Sequence, residues 1–120
     1  MDGFIDLETY TISLIRINNA LSKLEENNTD ETEELFSESF KDMQKVYLKI
    51  VEDLNHNELN MNEYYLFFQN GKQTFPHYIE ALENIENKSE NVDNLINVFN
   101  NLNKIAEAFE NEGYDELWFK

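Results

Sequence analysis

Residues that interrupt secondary structure are scarce in this chain. Its 120 residues include three glycines and one proline. Strand-rich folds need many tight turns, and glycine and proline supply many of the turn positions. The scarcity therefore favours a few long helices joined by short polar loops. Cysteine is absent, so the sequence excludes a disulfide framework and thiol chemistry.

Apolar residues recur at alternating steps of three and four, which is the spacing of one helix face. This pattern predicts an all-α fold with three long helices, over about 7–26, 31–55 and 89–111, and two short helices, over about 61–70 and 76–87. Each long helix has only about three heptads, which favours a compact antiparallel bundle over an extended coiled coil. The length and the lack of a linker predict a single domain over residues 1–120.

Four residues set the predicted helix boundaries in the second half of the chain. Gly71 suits the end of the first short helix, because glycine adopts the left-handed closing conformation without strain. Pro76 suits the first turn of the next helix, where its missing N–H costs nothing. Ser89 is predicted to cap the last helix, and Gly113 to end it.

The chain is strongly acidic. It carries 25 Asp and Glu against 9 Lys and Arg, a formal net charge of −16. That excess disfavours direct binding to nucleic acid or to an anionic membrane, since both need basic side chains. A protein with a basic surface is the natural electrostatic partner. No signal peptide or membrane-length apolar run is recognisable, so we expect a cytoplasmic protein, as a monomer or weak homodimer.

The sequence contains no catalytic motif. Asp53 lies three residues before His56, and Glu80 three residues after His77, so each histidine has a carboxylate one helical turn away. Di-iron bundles need two Glu-x-x-His pairs and two further glutamates, and this pattern is incomplete. We therefore predict no catalytic residue, no metal site and no cofactor, and expect a protein that is not an enzyme.

Acidic residues are densest between Glu25 and Asp42, with eight acids against one base, Lys41. Acids in the first turn of a helix are stabilised by the helix dipole. That reason does not apply to Glu25 and Glu26, which end the first predicted helix. The stretch is either a solvated loop or a docking surface, and its candidate partner-binding residues are Glu25, Glu26, Asp30, Glu31, Glu33, Glu34 and Glu38.

Five consecutive large apolar residues, Tyr64 to Phe68, are the most unusual local feature. Successive helix residues turn by about 100°, so this run surrounds the helix. Either the helix is sandwiched inside the bundle, or some aromatic surface faces solvent and contacts a partner. Tyr64, Tyr65 and Trp118 are accordingly added as candidate partner-binding residues.

These observations favour a small inhibitor that covers a basic functional surface of a target protein, such as a nucleic-acid-binding enzyme or a toxin. A composition rich in Asn, Lys, Ile and Glu is typical of AT-rich genomes, so we expect a phage counter-defence protein of the anti-CRISPR or anti-restriction type. A bacterial immunity protein or antitoxin, a DNA mimic, a small helical-bundle metalloenzyme and a structural homo-oligomer are the alternatives. Mimicry is less favoured because Lys41, Lys45 and Lys49 accompany the acidic row of the second helix.

Overall fold

All regular secondary structure in the described part of the chain is helical. The computed structural model describes residues 7–25, 29–56 and 61–118, and side chains within 7–25, 30–53 and 64–108. Four helices follow in order: α1 (Leu7–Glu25), α2 (Thr29–His56), α3 (Met61–Glu83) and α4 (Glu90–Trp118). The all-α prediction is confirmed. Within these residues, none of the helices combines the length and apolarity that crossing a membrane requires.

The two predicted short helices are a single helix, α3, so the predicted boundary at Gly71 is wrong. Gly71 lies buried within α3. A Cβ atom there would come within 3.0 Å of three carbons of the Phe75 ring. Glycine at this position therefore makes room for a core side chain one helical turn later, and it does not end the helix.

Pro76 also lies inside α3, where a first turn was predicted. Proline lacks an N–H, so the usual helical bond to the carbonyl of Lys72 is missing at this point. The helix continues because its buried face continues on both sides: Phe75, Tyr78 and Leu82 are all buried. Tertiary packing of that face outweighs the local break.

The helix α4 begins as predicted and ends later than predicted. The backbone N–H of Val92 donates to Ser89 Oγ at 3.3 Å, and the N–H of Asp93 donates to Ser89 O at 3.0 Å. Ser89 is thus the N-cap. The helix passes through Gly113 and reaches Trp118. A single glycine costs a helix only about 1 kcal/mol relative to alanine, which is too little to end it.

The helices α1 and α2 form an antiparallel hairpin. Ser13 Oγ donates to the carbonyl of Ser39 at 2.9 Å, and Lys23 pairs with Glu31 at 2.7 Å. As residue numbers rise along α1, those of the partners fall along α2, which establishes the antiparallel direction. The helices α3 and α4 pack as a second hairpin, and α2 packs against α4.

Aromatic side chains fill the space between α1 and α3. In the described residues the backbones of these two helices do not approach closely. The ring of Tyr10 meets that of Phe67 edge-on, with centroids 5.0 Å apart, and the Tyr78 hydroxyl donates to Asn18 Oδ1 at 3.0 Å. The residue numbers of the contacting partners increase together along the two helices, so α1 and α3 are parallel. Edge-on aromatic pairs of this kind contribute about 0.5–1.5 kcal/mol each beyond their burial.

Candidate functional site

Four helix ends meet at one end of the bundle: the last turns of α1 and α3 and the first turns of α2 and α4. Asn91 Nδ2 donates to Glu33 Oε2 at 3.2 Å across the α2–α4 contact. Lys23 and Glu31 join α1 to α2 nearby. We call this region the acidic end, because its described residues include nine carboxylates against Lys23 and Lys88, namely Glu25, Asp30, Glu31, Glu33, Glu34, Glu83, Glu86, Glu90 and Asp93.

Helix electrostatics account for only part of this charge. Asp30 and Glu31 lie in the first turn of α2, and Glu90 and Asp93 in the first turn of α4, where the positive end of the helix dipole stabilises them. Glu25 and Glu83 are the final residues of α1 and α3. There the dipole is negative and disfavours carboxylates. The helix dipole therefore does not stabilise Glu25 or Glu83, and both are exposed to solvent.

A cleft of about 440 Å³ opens at the acidic end. Its floor contains Leu24 and Ile85, which are partly buried and pack on the core. Thr32 and Glu33 of α2 line it, together with Glu86 and Asn87 of the segment that joins α3 to α4 and Glu25 of α1. Among these described lining residues are three glutamates and no basic side chain. The cleft therefore combines an apolar floor with a negative rim.

Most of the predicted acidic residues lie at or beside this cleft. Glu25, Asp30 and Glu34 are exposed, whereas Glu31 and Glu33 are held by Lys23 and Asn91. Glu38 lies farther along α2. Glu26 and the side chain of Trp118 lie outside the described residues. Their roles in binding stay predictions.

Arg16 neutralises part of the acidic row on α2. Its guanidinium forms an ion pair with Asp42 and lies 3.6 Å from Glu38 Oε2. The contact explains structurally why two acids of the predicted stretch face α1. The negative charge that neither this ion pair nor the helix dipoles explain therefore lies at the acidic end, around the cleft.

The residues Glu83, Ile85 and Glu86 were absent from the predicted site. Ile85 and Glu86 lie more than 50 positions from Glu33 in the chain, and the fold brings them to the same cleft. Glu83 is the last residue of α3, at the same end of the bundle. One signal in the sequence points to them: Glu83 and Glu86 lie near the end of the short helix predicted over about 76–87, which contains no Lys or Arg. The same reasoning that singled out Glu25 applies to them.

The run from Tyr64 to Phe68 divides between core and surface. Tyr64, Phe67 and Phe68 are buried, while Tyr65 is 43% and Leu66 67% exposed. Tyr64 is fully buried, and its hydroxyl donates to Asp53 Oδ2 at 2.7 Å. Tyr64 therefore belongs to the core, and its prediction as a partner-binding residue is withdrawn because its side chain is not accessible to a partner. Tyr65 lies at the surface, and its role in binding stays a prediction.

The histidine hypotheses gain no support. In the described part of the chain, no group of three His, Asp or Glu side chains could hold a metal ion. His77 is exposed and its ring meets Tyr78 edge-on at 5.3 Å. The side chain of His56 lies outside the described residues. Asp53, its proposed neighbour, is buried and accepts bonds from Tyr64 and from Lys49 Nζ, the latter at 3.0 Å.

Comparison of the chain with protein-family models, with curated protein sequences and with solved structures finds no match. We therefore infer function from the chemistry of the acidic end.

Proposed function

We propose that this chain is a protein-binding inhibitor whose acidic end covers a basic functional surface of a target protein. The observation that carries the proposal is the convergence of three glutamates, Glu25, Glu33 and Glu86, around a cleft with an apolar floor. We place the protein among phage counter-defence proteins acting in the cytoplasm of the infected cell, on the strength of its size, charge and composition.

The distribution of charge supports docking through one end of the bundle. Acidic surfaces attract a basic partner over about 10 Å at ordinary ionic strength and speed the encounter. Glu25 and Glu83 occupy helix ends that gain nothing from a negative charge, and Glu86 lies outside any helix. A use in recognition gives these residues a reason that helix stability does not supply.

Apolar surface supplies the affinity that surface charge alone lacks. Exposed ion pairs contribute only about 0–1 kcal/mol each. Burying apolar area contributes about 25 cal/mol per Å², and Leu24 and Ile85 offer such area at the centre of the acidic end. A charged rim around an apolar centre is the usual organisation of protein interfaces.

The arrangement favours inhibition over duplex mimicry. A mimic needs rows of free carboxylates in place of phosphates, and the row on α2 includes Glu38 and Asp42, which both contact Arg16. The remaining charge is gathered at the acidic end. A compact docking surface is the simpler use of that pattern.

A charge-matched pair of variants tests the proposal. The acidic-end variant carries Glu25→Gln, Glu33→Gln and Glu86→Gln. The control carries Glu8→Gln, Glu52→Gln and Glu107→Gln, three exposed positions away from the cleft. Both variants change the net charge by the same three units from −16. Each is used to capture partners from a lysate of the organism in which the protein acts, at low and at high salt.

We expect the wild type and the control to retain one basic protein that the acidic-end variant and high salt release. The purified chain should then abolish the activity of that protein at equimolar ratio. Retention by both variants would place the interface elsewhere, first at Tyr65. A captured partner that keeps full activity in the complex would refute inhibition.

A further inference from the structure

The shape and chemistry of the cleft at the acidic end define what fits into it. Its volume of about 440 Å³ lies within the range of about 300–1,000 Å³ typical of ligand pockets. It is thus large enough for a long side chain and too small for a folded element. We propose that the cleft binds an arginine side chain of the target. This inference rests on the proposed function and specifies its central contact.

The apolar floor selects a ligand with an aliphatic stem. Leu24 and Ile85 are partly buried against the core and stay accessible from the cleft. Long basic side chains lay their methylene groups on apolar surface while the charged head stays in a polar environment. A small inorganic cation would leave this floor without a contact. The floor thus favours a basic side chain over a bare ion.

The negative rim selects a cationic head. Glu25 of α1 and Glu86 of the segment after α3 are exposed, and Glu33 of α2 also lines the cleft. Glu33 Oε2 accepts from Asn91, which fixes the position of the carboxylate and leaves Oε1 for a second donor. The cleft thus presents carboxylates from α1, α2 and the segment after α3, and a guanidinium with its five N–H donors is the side-chain head that can use the most such acceptors.

Arginine suits this environment better than lysine. The guanidinium is planar and weakly hydrated, so it loses less on leaving water and can lie against Ile85. Its fork of donors matches carboxylate geometry, whereas the lysine ammonium is a compact and strongly hydrated point charge. We therefore expect arginine to bind more tightly than lysine in the same peptide.

Short peptides test the inference on the full chain. The probe is acetyl-Gly-Arg-Gly-amide, and its matched controls replace arginine by lysine or by citrulline, which keeps the shape and removes the charge. Binding is followed by amide chemical shifts in ¹H–¹⁵N NMR spectra. The variants are Glu25→Gln with Glu86→Gln at the rim, and Glu52→Gln with Glu107→Gln as the charge-matched control. All four positions are exposed, so the fold is preserved.

We expect the arginine peptide to shift the amides of the segments that line the cleft, over 24–25, 32–33 and 85–87. Citrulline and the rim variant should each weaken binding about tenfold, which corresponds to loss of a charge-assisted hydrogen bond. The control variant should bind like the wild type. Contact with the floor is tested with Ile85→Ser. This variant should weaken binding of the arginine peptide more than it weakens binding of free guanidinium, because guanidinium has no aliphatic stem.

Several results would overturn the inference. Equal binding of citrulline, or tighter binding of lysine, would refute selection of arginine. Shifts outside the cleft would place the contact elsewhere. Cleft shifts on adding Ca²⁺ alone, with none on adding the peptide, would make the rim a cation site. Because these measurements need no target, the inference can fail while the capture experiment still supports inhibition, and the reverse also holds.

Discussion

Replacing Gly71 by alanine should destabilise the protein, although alanine is the better helix former. Gly71 lies in the interior of α3 and is buried. In an open helix position the change from glycine to alanine stabilises by about 1 kcal/mol. Here the new methyl group would come within 3.0 Å of three ring carbons of Phe75. Two effects of opposite sign therefore compete at one position.

The packing effect is the larger one. Phe75 is fully buried and its ring contacts those of Tyr10, Phe67 and Phe99, at centroid distances of 6.5, 5.9 and 6.1 Å. Adding a methyl group to a well-packed core costs about 1–3 kcal/mol, and displacing the ring weakens aromatic pairs that contribute about 0.5–1.5 kcal/mol each. After the gain in helix propensity, we expect a net loss of about 2 kcal/mol.

Urea denaturation followed by far-UV circular dichroism measures this loss. Gln73→Ala, at an exposed position of the same helix, is the control and should change the free energy of unfolding by only a few tenths of a kcal/mol. In a Phe75→Leu background, Gly71→Ala should become neutral or stabilising, because the smaller side chain leaves room for the methyl group. Stabilisation of the otherwise unchanged protein by Gly71→Ala would refute the packing argument.

Three further predictions concern buried polar groups. Ser39 Oγ is buried and has no hydrogen-bond partner in the described residues, so Ser39→Ala should raise the free energy of unfolding by about 1 kcal/mol; a lower urea midpoint would contradict this. Tyr64→Phe removes a donor from the buried carboxylate of Asp53 and should cost about 1–3 kcal/mol, whereas an unchanged urea midpoint would mean that the bond contributes nothing. Burial, and secondarily Tyr78, raises the pKa of Tyr10 above its ordinary value of 10.0. The native state then holds this proton where the unfolded chain releases it, so stability falls as pH rises above 10. Denaturation curves of Tyr10→Phe at increasing pH should show a shallower alkaline decline, and an identical decline would refute the assignment.

The faces and types of the helices could be predicted from the sequence because they depend on local spacing. The three-four alternation predicts one apolar face for each helix, and on those faces Ile17 of α1 and Phe36 and Ile50 of α2 are buried. The predicted and observed bounds of these two helices differ by no more than two residues. Ser89 was recognised because an N-cap is also a local interaction, between a side chain and the next turn.

The continuity of α3 could not be predicted from local rules. Local rules predict that Gly71 ends one helix and that Pro76 begins the next, yet both residues lie inside α3. The reason for Gly71 is a ring one turn away that only has a fixed position once α1 and α4 pack around it. Likewise, the five large residues of Tyr64–Phe68 surround the helix, and local spacing does not say which of them are buried. Tertiary packing decided that Tyr64 lies in the core and Leu66 at the surface.

The sequence by itself determined the helical class, the excess of negative charge and its density between Glu25 and Asp42, because composition and short-range spacing are properties of the chain. Tertiary structure alone decided where that charge is usable. It paired Arg16 with Glu38 and Asp42, and it brought Ile85 and Glu86 to Glu25 and Glu33. Contacts between residues more than 50 positions apart depend on how the two hairpins pack, and no local pattern encodes that packing. The acidic cleft is a product of the fold.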